Sequence, residues 1–216
     1  MSSFLHKLYQ FYKKPILHHL KLKASTLPKV EFTDELLNNT RVLANRDALL
    51  KKLPKNGVVA ELGVDEGLFS KEILDICNPN KLILVDTWNS ARFSIEKKQN
   101  VERKFKAEIE SSRIEVIQND SISASKNFAP NSFDWIYIDT DHSFESTLSE
   151  LKAYAPKIKI KGFMAGHDFT PGSFHDVVRF GVIEAVKTFC VQNNWELSYL
   201  SLDANNFQSF AISRKR

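Results

Sequence analysis

The sequence predicts an α/β fold: a doubly wound, seven-stranded and mostly parallel sheet with an antiparallel edge strand, preceded by an N-terminal helical appendage. Two patterns support this prediction. Five short apolar runs between Gly57 and Asp168 are separated by helical or polar segments, which is typical of parallel strands covered by helices on both faces. Two further apolar runs close the chain without a helix between them, which indicates a hairpin and an antiparallel strand.

The appendage is expected to cover residues 1–40, and the main domain residues 41–216. Residues 1–30 mix apolar side chains with lysines, which predicts a short amphipathic helix that stops near Pro15. We expect its apolar stripe to pack on the main body, where it could act as a lid, or on a second copy in a homodimer. Peripheral contact of residues 1–23 with a membrane is the alternative.

The rest of the chain alternates between helices and strands. A helix capped by Thr33 is expected to carry apolar positions as far as Leu53, before Pro54 and Gly57 break the pattern. The expected strands are GVVAELG, KLILVD, RIEVIQND, DWIYID, GFMAGHD, WELSYLSL and FQSFAIS. Helices are expected over about 68–77, 93–110, 144–154 and 176–192, and the last two strands are joined by a turn at 203–206.

Acidic side chains stand at or directly after the ends of all five predicted parallel strands. They are Glu61, Asp86, Asp120, Asp139 and Asp168. In open parallel sheets, ligands bind outside the carboxyl ends of the strands, so these five acids are the first candidates for a site.

Composition narrows the class of protein. The chain has 216 residues, which suits one domain with an appendage. Its only cysteines, Cys77 and Cys190, are far apart, so we expect neither a disulfide framework nor a structural zinc site. No run reaches the roughly 20 apolar residues of a membrane span. The net charge of +4 is too small to indicate a nucleic-acid partner. We expect a cytoplasmic protein.

The segment Glu61–Gly67 (ELGVDEG) lies at a predicted strand-to-helix turn. Its glycines, Gly63 and Gly67, permit a tight turn and close approach of a ligand to the backbone. The three acids in the same segment would repel a pyrophosphate, so an acidic ExGxxxG loop suits a cationic ligand. Asp86 ends the next strand, where its carboxylate could accept hydrogen bonds from both hydroxyls of a ribose.

ExGxxxG followed by an acid at the next strand end resembles the cofactor site of class I S-adenosylmethionine-dependent methyltransferases, whose sheet is Rossmann-like. The resemblance covers about residues 45–213. It implies S-adenosyl-L-methionine, which carries a sulfonium and an ammonium and no phosphate. The cofactor-binding residues that it implies are Glu61 and Gly63 at the methionine part with Gly67 in the same loop, Asp86 at the ribose, Thr87 and Trp88 beside the adenosine, Asp120 and Ser121 at the adenine, and Asp139.

A second group of residues resembles one branch of that family. "IDTDHSFE" at 138–145, together with Gly166–Asp168, is similar to the motifs of bacterial small-molecule O-methyltransferases related to macrocin O-methyltransferase. This resemblance implies a small-molecule hydroxyl as the substrate. The chain departs from the branch at Thr140, where glycine is usual, and at His167, where some members have an aspartate.

Methyl transfer to a hydroxyl requires an aligned and deprotonated oxygen. Asp139, His167 and Asp168 would converge from neighbouring strand ends and could bind one divalent cation, with Mg²⁺ or Mn²⁺ as the candidates. Whether the reaction uses a metal is left open. Asp141 and His142 are the two candidates for the general base, and His142 is attractive because its ordinary pKa lies near neutrality.

Simpler roles and other functions compete with this interpretation. Asp141 or Ser143 is also expected to cap the helix that begins at Phe144. The Asn/Asp-Pro-Pro-aromatic signature of nucleic-acid base methylases is absent, so we expect no nucleic-acid partner, although methylation of an RNA 2′-hydroxyl stays possible in principle. The alternatives are an RNA or protein methyltransferase and, from another class, a noncatalytic cofactor-binding or interaction protein.

Overall fold

A computed structural model describes residues 3–173, 177–203 and 207–215, with side chains from Phe11 onward except that of Tyr12. The helices are α1 Ser3–Thr26, α2 Asp34–Leu37, α3 Arg46–Lys52, α4 Leu68–Cys77, α5 Ile95–Lys104, α6 Lys106–Glu110, α7 Ser121–Ser125, α8 Phe144–Tyr154 and α9 Val182–Asn193. The strands are β1 Arg41–Leu43, β2 Val58–Leu62, β3 Lys81–Asp86, β4 Ile114–Gln118, β5 Phe133–Ile138, β6 Ile158–Gly166, β7 Gly172–Ser173, β8 Val178–Arg179, β9 Trp195–Ser201 and β10 Phe210–Arg214.

The main sheet has the strand order β1-β9-β10-β6-β5-β2-β3-β4. Strands β2 to β6 are mutually parallel, while β10 runs antiparallel to both β6 and β9. The predicted Rossmann-like, mostly parallel sheet with an antiparallel pair at one side is therefore confirmed. The order reverses between β2 and β5, and such a reversal opens a crevice at the carboxyl ends of these two strands.

Two hydrophobic clusters cover the two faces of the sheet. Alternate residues of β5 supply both, because Trp135 and Tyr137 lie in one cluster and Ile136 and Ile138 in the other. Helices α3, α4 and α5 pack on the first face, and α8 and α9 pack on the second. This double cover explains why the central strands read as nearly continuous apolar runs.

The prediction of one helix from Thr33 to Leu53 is wrong. The segment forms the one-turn helix α2, then β1, then α3, and β1 adds an eighth strand by pairing in parallel with β9. Two local features favour the break. The Thr40 hydroxyl donates to the Leu197 carbonyl over 2.6 Å, and Asn45 caps α3 by accepting from the Ala48 amide over 2.9 Å.

The prediction that the first helix stops near Pro15 is also wrong, because α1 continues to Thr26. A proline removes one backbone donor and disturbs the carbonyl four residues earlier. Pro15 is exposed, so water can satisfy that carbonyl. Helix α1 approaches the body of the molecule at β8. Among the described residues, no helix has both the length and the apolar character that crossing a membrane requires.

Two other predicted boundaries moved. The charged helix expected over 93–110 is divided at Phe105, whose side chain is buried between α5 and α6. Helix α9 begins at Val182 instead of about 176, because the small hairpin β7–β8 occupies the preceding segment. Residues 174–176 lie outside the described part of the chain. So do residues 204–206, which include most of the predicted turn.

Candidate active site

A cleft of about 800 Å³ opens at the carboxyl edge of the sheet, where the strand order reverses. The loops after β2 and β5 touch at its floor, because the Asp139 amide donates to the Leu62 carbonyl over 2.8 Å. Gly63 adopts a φ of +87°, and a Cβ at this position would lie 1.9 Å from the Asp139 carbonyl oxygen. This close approach therefore requires glycine.

The cleft is strongly acidic. Among the described residues, two arginines line it, Arg46 and Arg92. The acidic side chains that line it are Glu61, Asp65, Glu66, Asp86, Asp120, Asp139, Asp141, Glu145 and Glu150. Such a lining attracts a cationic ligand and repels a chain of phosphates.

Glu61 lies at the deep end of the cleft and is 1% exposed. The Ser70 hydroxyl, in the first turn of α4, donates to its carboxyl group. Burial raises the pKa of Glu61 to about 8, and the hydrogen bond from Ser70 only partly offsets this rise. At neutral pH without a ligand, the carboxyl group therefore holds a proton, and a cation bound beside it would favour release of that proton.

Arg46 also faces this end of the cleft, and sequence reasoning missed it. Its guanidinium lies 4.1 Å above the ring of Phe69, and one of its nitrogens is 3.3 Å from a carboxylate oxygen of Glu72. Arg46 belongs to no motif. The packing of α3 against α4 brings it to the cleft, so no local signal in the sequence could have identified it.

Asp86, the expected ribose ligand, lines the cleft and also holds the loop after β2. One carboxylate oxygen accepts from the backbone amides of Val64 and Asp65, over 2.8 and 3.0 Å. The other accepts from the Trp88 amide over 3.2 Å. Because each carboxylate oxygen can accept more than one hydrogen bond, this role leaves capacity for a ligand.

Two predicted cofactor residues, Trp88 and Gly67, do not line the cleft. Trp88 is buried in the core with 1% of its surface exposed, and its indole donates to the Asp65 carbonyl over 3.0 Å. Burial of this large apolar ring is more favourable in free energy than exposure at an open acidic wall. Gly67 begins α4 with a φ of +67°, and a Cβ there would lie 2.9 Å from the ring of Phe105. Its glycine is explained by helix packing. Thr87 does line the cleft.

At the other end of the cleft, Asp120 and Ser121 lie at the start of α7. Asp120 caps the helix by accepting from the Ser123 amide over 2.8 Å, which lowers its pKa. The Ser121 hydroxyl donates to Glu150 over 2.6 Å, and the Thr140 hydroxyl donates to the same carboxyl group over 3.0 Å. Thr140, the departure from the usual glycine, therefore has a defined partner.

Glu150, on α8, was not predicted as a site residue. It is 2% exposed and lies at the wall of the cleft. Burial raises its pKa to about 7, with the two hydroxyl donors acting in the opposite direction. The period of α8 would place an acid at this position on its buried side, and a buried acid is the signal that could have found it.

His142 lines the cleft and pairs with Asp168, which does not itself line the cleft. His142 Nδ1 lies 2.8 Å from a carboxylate oxygen of Asp168. Burial acts to lower the pKa of His142, but the hydrogen bond and charge of Asp168 outweigh it, so the pKa lies above its ordinary value. The ring of His142 lies 4.9 Å from that of Phe180, and its carbonyl accepts from the Gly181 amide over 2.8 Å.

The backbone at this pair is unusual. His142 has a φ of +60° and Asp168 has a φ of +56°. Both lie in the left-handed region, which residues other than glycine rarely adopt. Such conformations cost free energy and are concentrated at functional sites. Burial acts to raise the pKa of Asp168, but the hydrogen bond from His142 and the nearby ring of His167 outweigh burial and hold the pKa well below its usual range.

The cluster of potential metal ligands shares Asp139 and Asp168 with the predicted set and includes His142. Asp139, His142 and Asp168 each offer one ligand atom, and these three atoms lie within 4.8 Å of one another. His167, predicted in place of His142, has its Nδ1 3.4 Å from Asp168 and 3.9 Å from Asp139. It does not line the cleft, because it follows β6 directly and packs toward Phe207.

The carboxylate of Asp141 faces the start of α8. One oxygen accepts from the Ser143 amide over 2.9 Å, and the other from the Ser146 hydroxyl over 2.8 Å. Ser143 itself caps the helix by accepting from the Ser146 amide over 3.2 Å. The predicted capping role of Ser143 is therefore confirmed, and both oxygens of Asp141 are engaged in the same turn.

Solved structures similar to this chain include several methyltransferases. The M1A22 tRNA methyltransferase TrmK of B. subtilis is 13% identical, with 80% of this chain and 67% of that one covered and a TM-score of 0.57. A candidate rRNA methylase from Clostridium thermocellum is 13% identical, with 81% and 98% covered and a TM-score of 0.60. The trans-methyltransferase CalH, in complex with SAH, is 12% identical, with 78% and 55% covered and a TM-score of 0.57. At these identities, the likeness shows the fold alone.

The family is shown by sequence. No curated protein matches the chain. A family model described as a methyltransferase domain matches residues 60–169, which is half of the chain and contains every cleft-lining residue named above except Arg46. The general expectation is thereby confirmed: the chain belongs to this methyltransferase-domain family and is an S-adenosylmethionine-dependent methyltransferase.

Proposed function

We propose that this methyltransferase transfers the methyl group of S-adenosylmethionine to a hydroxyl oxygen of a small molecule. The observation that carries the proposal is the pairing of His142 with Asp168 at the wall of an acidic cleft. A hydroxyl needs a base, and this pair supplies one. The acidic lining suits the two positive charges of the cofactor and disfavours a polyphosphate backbone beside it.

The cleft offers complementary groups along the length of the cofactor. Glu61 would face the ammonium of the methionine part, and Arg46 would face its carboxylate. Asp86 would accept from the ribose hydroxyls. Asp120 and Ser121 would lie at the adenine. These assignments follow from the order of the residues along the cleft and from their charges.

His142 is the proposed base. Its Nδ1 is engaged by Asp168, which fixes the orientation of the ring and leaves Nε2 to accept the proton of the substrate hydroxyl. As that proton moves to Nε2, the oxygen attacks the methyl carbon in line with the carbon–sulfur bond. The O–C bond forms, the C–S bond breaks, and its electron pair stays on sulfur to give neutral S-adenosylhomocysteine. The imidazolium is stabilised by Asp168.

The donor set also fits a divalent cation. Asp139, His142 and Asp168 provide two carboxylates and one imidazole within 4.8 Å, and Oδ1 of Asp168 is buried without a hydrogen-bond partner among the described residues. Two oxygens and one nitrogen suit Mn²⁺ or Mg²⁺. A bound cation would lower the pKa of a coordinated hydroxyl. In that case His142 would be a ligand, and Asp141 would be the remaining candidate for the base.

The test is methyl transfer from labelled S-adenosylmethionine to a panel of hydroxyl-bearing metabolites, with protein and transfer RNA in parallel. His142→Gln is expected to reduce kcat at least about 100-fold, the usual contribution of a general base, without weakening the binding of S-adenosylhomocysteine. Asp141→Asn is the matched variant and should change kcat less than about tenfold. Equal losses in both variants would contradict the assignment of the base.

Two controls separate the remaining alternatives. Activity that chelator abolishes and Mn²⁺ restores would identify the cation form of the site. Methylation of RNA but of no metabolite would favour the RNA methyltransferase, an alternative supported only by the tRNA and rRNA enzymes among the similar structures. Binding of S-adenosylhomocysteine without turnover on any substrate would favour a noncatalytic protein. Absence of a thermal shift at saturating S-adenosylhomocysteine would overturn cofactor binding itself.

A further inference from the structure

The positive charge of the protein is concentrated in its first segment. Residues 1–30 contain six lysines, three of the six histidines and no acid. The whole chain has 30 basic and 26 acidic side chains, so residues 31–216 hold 24 and 26, an excess of two acids. The net charge of +4 therefore arises entirely from the segment that forms α1 and the residues just after it.

Helix α1 has a side that faces the body and a side that faces solvent. Lys13 and Leu20, two turns apart, are half-buried, and the residues from 14 to 19 and from 21 to 26 are exposed. Phe11 is 73% exposed and Leu22 is 54% exposed. At about 100° per residue, Phe11 and Leu22 point in nearly the same direction, opposite to Lys13 and Leu20.

Phe11 and Leu22 stand along the outer side with the exposed Pro15 and His18 between them, and basic side chains stand at its flank. Lys14 and Lys21, also two turns apart, stand beside the line from Phe11 to Leu22 and are exposed. Helices that lie in the headgroup region of membranes combine an apolar strip with lysines in this way. A nucleic-acid surface would call for basic groups where Phe11 and Leu22 stand.

We propose that α1 docks the protein on an anionic phospholipid surface, with Phe11 and Leu22 among the headgroups and Lys14 and Lys21 against lipid phosphates. The helix, about 36 Å long, would lie in the plane of the membrane. A second copy of the chain fits this side less well. In a two-fold interface the same patch meets itself, and the lysines of the two copies would repel one another.

The proposal is independent of the reaction and can be tested with the full chain. We expect co-sedimentation with vesicles of phosphatidylcholine and phosphatidylglycerol, weakening as salt is raised, and little with phosphatidylcholine alone. Lys14→Gln with Lys21→Gln should lower the partition coefficient about thirtyfold, since each lysine near an anionic surface contributes about a factor of five. Leu22→Asp should also abolish binding.

The matched control is Lys51→Gln with Lys52→Gln, which removes the same charge from the exposed end of α3. It should change the partition coefficient less than about threefold. Equal losses in the two double variants would overturn docking through α1, as would absence of binding to anionic vesicles. Two other results would also overturn it if the protein does not bind vesicles. One is a dimer that Leu22→Asp converts to monomers. The other is tRNA binding that is lost when Lys14 and Lys21 are replaced. An unchanged thermal shift with S-adenosylhomocysteine confirms that each variant is folded.

Discussion

Replacement of Glu61 by glutamine tests the electrostatics of the buried end of the cleft. Burial raises the pKa of Glu61 from 4.5 to about 8, so the folded protein binds its proton more tightly than the unfolded chain does. Because the folded state holds this proton more tightly, the contribution of Glu61 to stability is fully present below pH 4.5 and is lost as pH rises toward 8. Between pH 5 and 8, this single group should reduce the free energy of unfolding by roughly 3 to 4 kcal/mol.

Glutamine has nearly the same shape, can still accept from Ser70, and does not titrate. Glu61→Gln should therefore unfold later than the wild type at pH 8 by about 10 °C, with no such advantage at pH 5, when both are melted by differential scanning calorimetry without cofactor. The same variant should bind S-adenosylhomocysteine at least about tenfold more weakly, because the ammonium loses its counter-charge. Parallel melting curves across this pH range would refute the assignment of a buried, protonated Glu61.

Three further predictions concern the other parts of the site. Asp168→Asn should lower the pKa of His142, because the Asp168 carboxylate is what raises that pKa. The rising limb of kcat/KM against pH should therefore move to lower pH, and kcat should fall. A limb that does not move would exclude His142 as the titrating base. Glu150→Gln leaves one of the two hydroxyl donors with a poorer acceptor, which costs about 1 kcal/mol of hydrogen-bond free energy. The KM for S-adenosylmethionine should rise about fivefold with little change in kcat. An unchanged KM would show that Glu150 does not contribute to cofactor binding. Gly63→Ala should lower the free energy of unfolding by about 3 kcal/mol in urea titrations, because its Cβ would overlap the Asp139 carbonyl; wild-type stability would contradict the close approach of the two loops.

Elements specified by their own residues were predicted with accurate limits. Helix α4 covers Leu68–Cys77 and α8 covers Phe144–Tyr154, as the sequence patterns indicated. Helix α8 has a local start signal in the Ser143 cap, and α4 begins directly after Gly67 and ends at Asn78, both in the left-handed conformation. By contrast, β1 consists of three residues that gain their strand partners only from β9, more than 150 positions later. No window of the sequence around Val42 contains that information.

The same distinction separates the two halves of the site. The sequence by itself determined the methyltransferase sheet and the acids at its strand ends, because apolar runs specify buried parallel strands and strand ends specify one edge. Only the tertiary structure decided which polar groups pair across that edge. It brought His142 to Asp168 alongside His167, buried Trp88 and Glu150, and carried Arg46 to the cleft. These outcomes depend on loop conformations and helix packing, in which each contact joins residues distant along the chain, so no local pattern encodes them.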